Sequence, residues 1–181
     1  MWKDADKDTK GPSFLIDKDA PDVKNKCQFH REMFTITDTL VINPLWDTYG
    51  HMVRQLTLEK CGLKSLPESM LGFLDKLENL SLSQNSLETL PADIGNCSNL
   101  IRLDVSHNLL KAGLDTLNKC STSLKFLNIS HNLLKKIPEQ VFECSNLAEL
   151  TANHIALIEI SPSIGKLVEL RTLSLEGNRQ Y

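Results

Sequence analysis

The stretch that decides the fold is Leu77-Glu78-Asn79-Leu80-Ser81-Leu82-Ser83-Gln84-Asn85-Ser86-Leu87. It reads L-x-x-L-x-L-x-x-N-x-L. The same spacing returns with Leu56, Leu103, Leu127, Leu150 and Leu173 in the place of Leu80. Counted from Leu56, the intervals are 24, 23, 24, 23 and 23 residues. A period of this size marks an architecture of stacked units, because one unit cannot bury its apolar face alone.

Residues 53–178 resemble the leucine-rich repeat superfamily on these motifs. The resemblance implies an α/β fold: a right-handed solenoid, a segment of a horseshoe, with parallel strands on its concave face. Within the superfamily the chain looks most like the intracellular, Ras-group type. Those repeats are about as short and carry L-P after the asparagine, as in Leu87-Glu88-Thr89-Leu90-Pro91. Members of that group act as scaffolds in small-GTPase signalling and phosphatase regulation. The resemblance speaks to fold far more than to function.

The alternation around each leucine pair predicts short strands at 55–59, 79–83, 102–106, 126–130, 149–153 and 172–176. Leucines then point inward and the residues between them line the concave face. Asn85, Asn108, Asn132 and Asn178 form a column that should bond buried backbone groups of adjacent turns. The fifth copy departs from it, with Ile155 in the asparagine place and Ala152 in a leucine place. An isoleucine cannot make those bonds, so that coil is expected to loosen unless Asn153 substitutes. On the return side, Leu66-Pro67, Leu90-Pro91 and Ile137-Pro138 suggest helical turns begun by proline. Gly113 stands where the third copy should be apolar, which predicts an irregular return there.

Three segments are expected: a charged, disordered tail over 1–26, an N-terminal cap over 27–52, and the solenoid over 53–181, with five full copies and a partial sixth. The tail has six lysines and six aspartates and little apolar surface to offset its ordering entropy. The next segment is richer, with Phe29, Trp46 and Tyr49, and 37–42 could add an edge strand. Solenoids need their apolar ends covered. The C-terminal rim around Leu170, Leu173 and Leu175 therefore calls for a partner or for further sequence to cap it.

A net charge of -3 gives no footing for nucleic acid. No apolar run is long enough to span a membrane, and the N-terminus lacks the apolar core of a signal peptide. Cys97, Cys120 and Cys144 share one repeat position, Cys61 takes the asparagine place of the first copy, and these read as reduced core residues, with Cys27 alone outside the pattern. The expected compartment is the cytoplasm, with the nucleus as the alternative. Three N-x-S triplets, at Asn79, Asn96 and Asn128, are then idle.

No catalytic, cofactor or metal motif stands out, so the chain reads as non-enzymatic. His107, His131 and His154 recur just before the asparagine column. Convergent imidazoles would suit a metal, but solvated histidines of a Ser-His-Asn consensus variant are the stronger reading. The candidate site is the concave face, with Arg102 and Phe126 as anchors and Asp104, His107, Asn128, His131 and Glu149 around them. Arginine and aromatic side chains dominate binding energies when buried by a partner. The expected function is a protein-interaction module or scaffold, in small-GTPase or phosphatase-linked signalling. The alternative is a targeting domain of a larger multidomain enzyme.

Overall fold

The computed structural model describes residues 26–28, 51, 53–66 and 70–178. Its centre is one seven-stranded, all-parallel sheet in chain order: β1 Lys26–Gln28, β2 Gln55–Thr57, β3 Asn79–Ser81, β4 Arg102–Asp104, β5 Phe126–Asn128, β6 Glu149–Thr151 and β7 Thr172–Ser174. Each strand pairs with the next in strict register, so Leu56, Leu80, Leu103, Leu127, Leu150 and Leu173 form one inward column. The strands are shorter than the five residues expected. Inter-coil bonds nevertheless continue past them, as from Leu58 N to Ser81 O (2.8 Å) and from Lys60 N to Ser83 O (3.2 Å).

The strand β1 was not expected. Cys27 stands in register with Leu56, 29 residues away, and so takes a repeat position from outside the repeat period. The expected boundary between tail and cap falls inside this strand. The rest of both segments, including 37–42, Trp46 and Tyr49, lies outside the described residues.

The return side is built from 3-10 turns at Leu71–Phe73, Ala92–Asn96, Leu117–Cys120, Glu139–Glu143 and Pro162–Lys166. Pro91 and Pro138 stand immediately before two of these, and Pro162 opens the last, where Ser161 Oγ accepts from Ser163 N. Proline's fixed φ and missing N–H suit such a start. The strands on one side and bulkier turns on the other curve the solenoid toward its sheet. This is the α/β leucine-rich repeat architecture with the sheet on the concave face.

Between the two layers lies a continuous apolar core. Ile94, Leu117 and Val141 are fully buried under the turns. Cys97, Cys120 and Cys144 form a buried column whose thiols reach back to carbonyls of the preceding coil: Leu71 O at 3.8 Å, Cys97 O at 3.4 Å and Leu117 O at 3.6 Å. Burial pushes the Cys97 and Cys144 thiols up to about 12.

The third copy returns more regularly than expected. Gly113 turns the chain at φ +98, and a Cβ there would stand 2.4 Å from Leu90 N. Only glycine fits. Leu114, one residue on, is fully buried and restores the core, so the irregularity is confined to one turn.

Asparagines hold the coils together. Asn108 Oδ1 accepts from Leu87 N (3.0 Å), and its Nδ2 donates to Leu82 O of the preceding coil (3.0 Å) and Val105 O of its own (3.0 Å). Asn85, Asn132 and Asn178 repeat the pattern. Two further asparagines bond across coils: Asn99 Nδ2 donates to Asp75 O and Asn146 Nδ2 to Thr122 O, each at 2.7 Å.

The fifth coil stays closed despite Ile155. The backbone takes over, with Lys135 N donating to Ile155 O at 2.9 Å. Ile155 is fully buried, and so is Ala152, the smallest residue of its column. The small residue leaves the volume that the isoleucine side chain needs. Asn153 does not replace the missing asparagine. Its Oδ1 accepts from Ser174 Oγ (2.8 Å) and Glu176 N (2.7 Å), tying the fifth coil to the sixth instead.

Candidate functional site

Strict register makes the concave face predictable column by column. The residue before each inward leucine gives Gln55, Asn79, Arg102, Phe126, Glu149 and Thr172; the residue after it gives Thr57, Ser81, Asp104, Asn128, Thr151 and Ser174. The anchors Arg102 and Phe126 are therefore direct partners across β4 and β5. The Arg102 guanidinium carbon lies 3.9 Å from the Phe126 ring centroid, over its face. A cation over an aromatic ring is attracted by the ring quadrupole. The contact also holds a long side chain in one place before any partner arrives.

The second column is tied just as locally. Asn128 Nδ2 donates to Asp104 Oδ2 at 3.3 Å. The other oxygens face the backbone, with Asp104 Oδ1 accepting from Ser106 N (2.9 Å) and Asn128 Oδ1 from Ser130 N (3.1 Å). Glu149 stands beside Phe126 on β6. At the N-terminal end, Ser81 Oγ donates to Glu59 Oε1 at 2.6 Å, and Arg54 pairs with Glu78. Neither of these pairs was anticipated from the sequence.

The histidines form the rim of this face. His107 and His131 are stacked with ring centroids 4.1 Å apart and planes 11° apart. His154 continues the stack at 4.6 Å and 19°. All three have left-handed backbone, φ 52 to 54, as do Lys60 and Gln84 at the same place in earlier coils. Histidine is among the residues that tolerate this region best. The next residue in the column is Gly177, φ +66, where a Cβ would stand 2.0 Å from His154 Cε1. Glycine there makes room for the last ring. Local desolvation in the stack and the two neighbouring imidazoles hold the His131 pKa below its ordinary value. Rings stacked face to face do not enclose a point on which all three could place a nitrogen. Among the described residues no cluster of three or more histidine, cysteine, aspartate or glutamate side chains could hold a metal ion.

All seven expected site residues thus lie on or beside three adjacent strands, β4 to β6. Arg102 with Phe126, Asp104 with Asn128, and His107 with His131 are brought into direct contact. The alignment of His107, His131 and His154 follows from their shared repeat position, whereas the glycine that makes room for the last ring was not foreseen. The column of histidines was visible in the sequence, but the ring orientation was not.

Comparison with known proteins agrees with the repeat fold. Family models described as leucine rich repeat match residues 52–110 and 123–144. Osteomodulin of Bos taurus is 46% identical over 56 residues, 31% of this chain and 13% of that protein. A leucine-rich repeat-containing G-protein coupled receptor 6 of Danio rerio is 43% identical over 56 residues, 31% of this chain and 6% of the receptor. The crystal structure of internalin C2 from Listeria monocytogenes superposes with a TM-score of 0.58 at 23% identity, covering 70% of this chain and 53% of that one. The chain thus matches only a small part of these curated relatives' lengths, and the solved structure shares its fold. The repeat period, the asparagine column, the parallel sheet and the family matches agree: this chain belongs to the leucine-rich repeat superfamily.

Proposed function

We propose that the chain is a non-enzymatic protein-interaction module whose concave face, centred on Arg102 and Phe126, binds a protein partner. The observation that carries this reading is the preformed cation–π pair at 3.9 Å in the middle of an open sheet face. Small polar residues surround it, and ordering entropy already spent on the arginine need not be spent on binding. Six coils offer an extended surface rather than a concave pocket, which suits a macromolecule better than a small molecule. A specific contact on the scale of about 800 Å² per partner fits across several coils. The four reduced core cysteines support a cytoplasmic setting. Among the described residues no helix is long and apolar enough to cross a membrane. A scaffold in small-GTPase or phosphatase-linked signalling is the finer reading, and it rests on the Ras-group likeness of the repeats alone.

The test is a pull-down with wild type and with Arg102→Ala/Phe126→Ala, read by mass spectrometry, followed by affinities for each captured protein. The double variant should bind at least about a hundredfold more weakly, the scale of a hot-spot loss. Its melting curve should match wild type, because both side chains point away from the core. Equal affinity of the two proteins would refute the concave-face assignment.

A further inference from the structure

Two successive coils carry the same six residues. Ser106-His107-Asn108-Leu109-Leu110-Lys111 is repeated as Ser130-His131-Asn132-Leu133-Leu134-Lys135. The fold explains only half of each copy. The asparagine makes the inter-coil bonds, the second leucine is buried, and the serine is nearly so. The histidine, the first leucine and the lysine all face solvent. Leu109 is 43% exposed and Leu133 48% exposed.

Nothing in the architecture requires leucine there. The same place is taken by Gly62 in the first coil, Ser86 in the second and Ala156 in the fifth. Scattered exposed leucines are ordinary. These two are adjacent in neighbouring coils, and they occur only where the histidine before them is stacked on another. The result is a short apolar strip alongside two stacked imidazoles.

The charges carried by the two repeated stretches themselves share one sign. Residues 106–111 and 130–136 contain Lys111, Lys135 and Lys136 and no aspartate or glutamate, in a chain of net charge -3. Lys111 is paired with Glu88 at 3.0 Å, in a bond exposed on both sides. Such a pair contributes little and exchanges readily. Lys135 and Lys136 lie within ion-pair distance of no acidic side chain among the described residues, though Lys136 acts at longer range on Glu139.

We propose that this rim, beside the concave face and distinct from its Arg102–Phe126 centre, is a second docking surface that takes an acidic segment of a protein partner carrying large apolar side chains. The leucine pair and the imidazole edges receive the apolar groups. Lys135 and Lys136 receive the carboxylates. Both halves are needed, since exposed charge alone is screened by salt within about 8 Å and two leucines alone bury too little area.

The experiment measures fluorescence anisotropy of short labelled peptides with the full chain at physiological salt. The probe has central leucines flanked by glutamates; one control replaces the glutamates by glutamines and another replaces the leucines by serines. Wild type should bind the probe about tenfold more tightly than either control, a difference of about 1.4 kcal/mol. Lys135→Glu/Lys136→Glu and Leu109→Ser/Leu133→Ser should each weaken it by about as much, with unchanged melting curves. Lys119→Glu/Lys125→Glu, on another surface, should bind like wild type. The Arg102→Ala/Phe126→Ala variant should bind the probe normally, which separates this surface from the concave one. Equal binding of probe and serine control, or loss of binding in the Arg102→Ala/Phe126→Ala variant, would overturn the proposal. So would a DNA duplex competing as well as the peptide.

Discussion

Asn132→Ile copies into the fourth coil the residue that the fifth coil carries naturally at Ile155. In the wild type, Asn132 is 4% exposed and serves four backbone groups. Its Oδ1 accepts from Leu110 N (3.0 Å), and its Nδ2 donates to Val105 O (3.0 Å), Ile129 O (2.9 Å) and Ser130 O (3.2 Å). Leu110 N and Val105 O belong to the preceding coil, so those two bonds join coils. A buried backbone group left unpaired costs about 1–3 kcal/mol. Losing both inter-coil bonds therefore costs roughly 2–6 kcal/mol. The isoleucine recovers little of this, because Ile129 already fills the neighbouring column, whereas the fifth coil has Ala152 there. At about 3 °C per kcal/mol for a domain of this size, the midpoint should fall by roughly 6–18 °C in a circular-dichroism melt. Native-state hydrogen exchange should show Leu110 N–H losing protection first. The double variant Ile129→Ala/Asn132→Ile should lose less than the sum of its single changes, since the two sites share one volume. If Asn132→Ile melts within about 0.5 kcal/mol of wild type, a range ordinary for surface changes, the asparagine column does not hold the coils together.

Leu103→Asp should abolish the cooperative melt, because a lone charge in a close-packed core costs several kcal/mol; an unchanged melt would remove Leu103 from the core. Thiol labelling of the native protein should leave Cys97, Cys120 and Cys144 unmodified until global unfolding, since the thiolate is both buried and disfavoured; labelling within minutes would contradict the register. His131 should titrate by NMR below the ordinary 6.5, moving back toward it in His107→Ala/His154→Ala. Its folded pKa is depressed, so the unfolded chain takes the proton first. That contribution to stability is full above pH 6.5 and is lost as pH falls through the lowered folded value. Gly177→Ala should displace the His154 ring and shift the His131 ring resonances, because the new Cβ would fall on the imidazole; unchanged resonances would show that the stack does not depend on that glycine.

What could be read from the sequence was whatever repeats. The inward leucines, the asparagine column and the buried cysteines follow from one period. Arg102 and Phe126 could be placed side by side because equal repeat positions must be neighbours in a parallel, in-register sheet. Features that break or extend the period were harder. Strand β1 escaped notice because Cys27 lies 29 residues before Leu56 and lacks the leucine pattern. Ile155 looked like a defect because its compensation sits at Ala152, three residues away, and in a backbone bond from Lys135. The histidine stack needed ring orientations, which depend on left-handed backbone at each position and on the absent side chain at Gly177. Ion pairs such as Lys111–Glu88 depend on where long side chains settle, which repeat position does not determine.

The central claim is that partners engage the concave face around the Arg102–Phe126 pair. Hydroxyl-radical footprinting of the chain alone and with a captured partner tests it directly, since aromatic, histidine and leucine side chains all report. The account predicts shielding of Phe126, with His107 and His131 affected at the rim and no change at the solvent-facing Val168 and Leu173. Shielding of Val168 and Leu173 with Phe126 untouched would contradict it and place the contact at the C-terminal end of the solenoid.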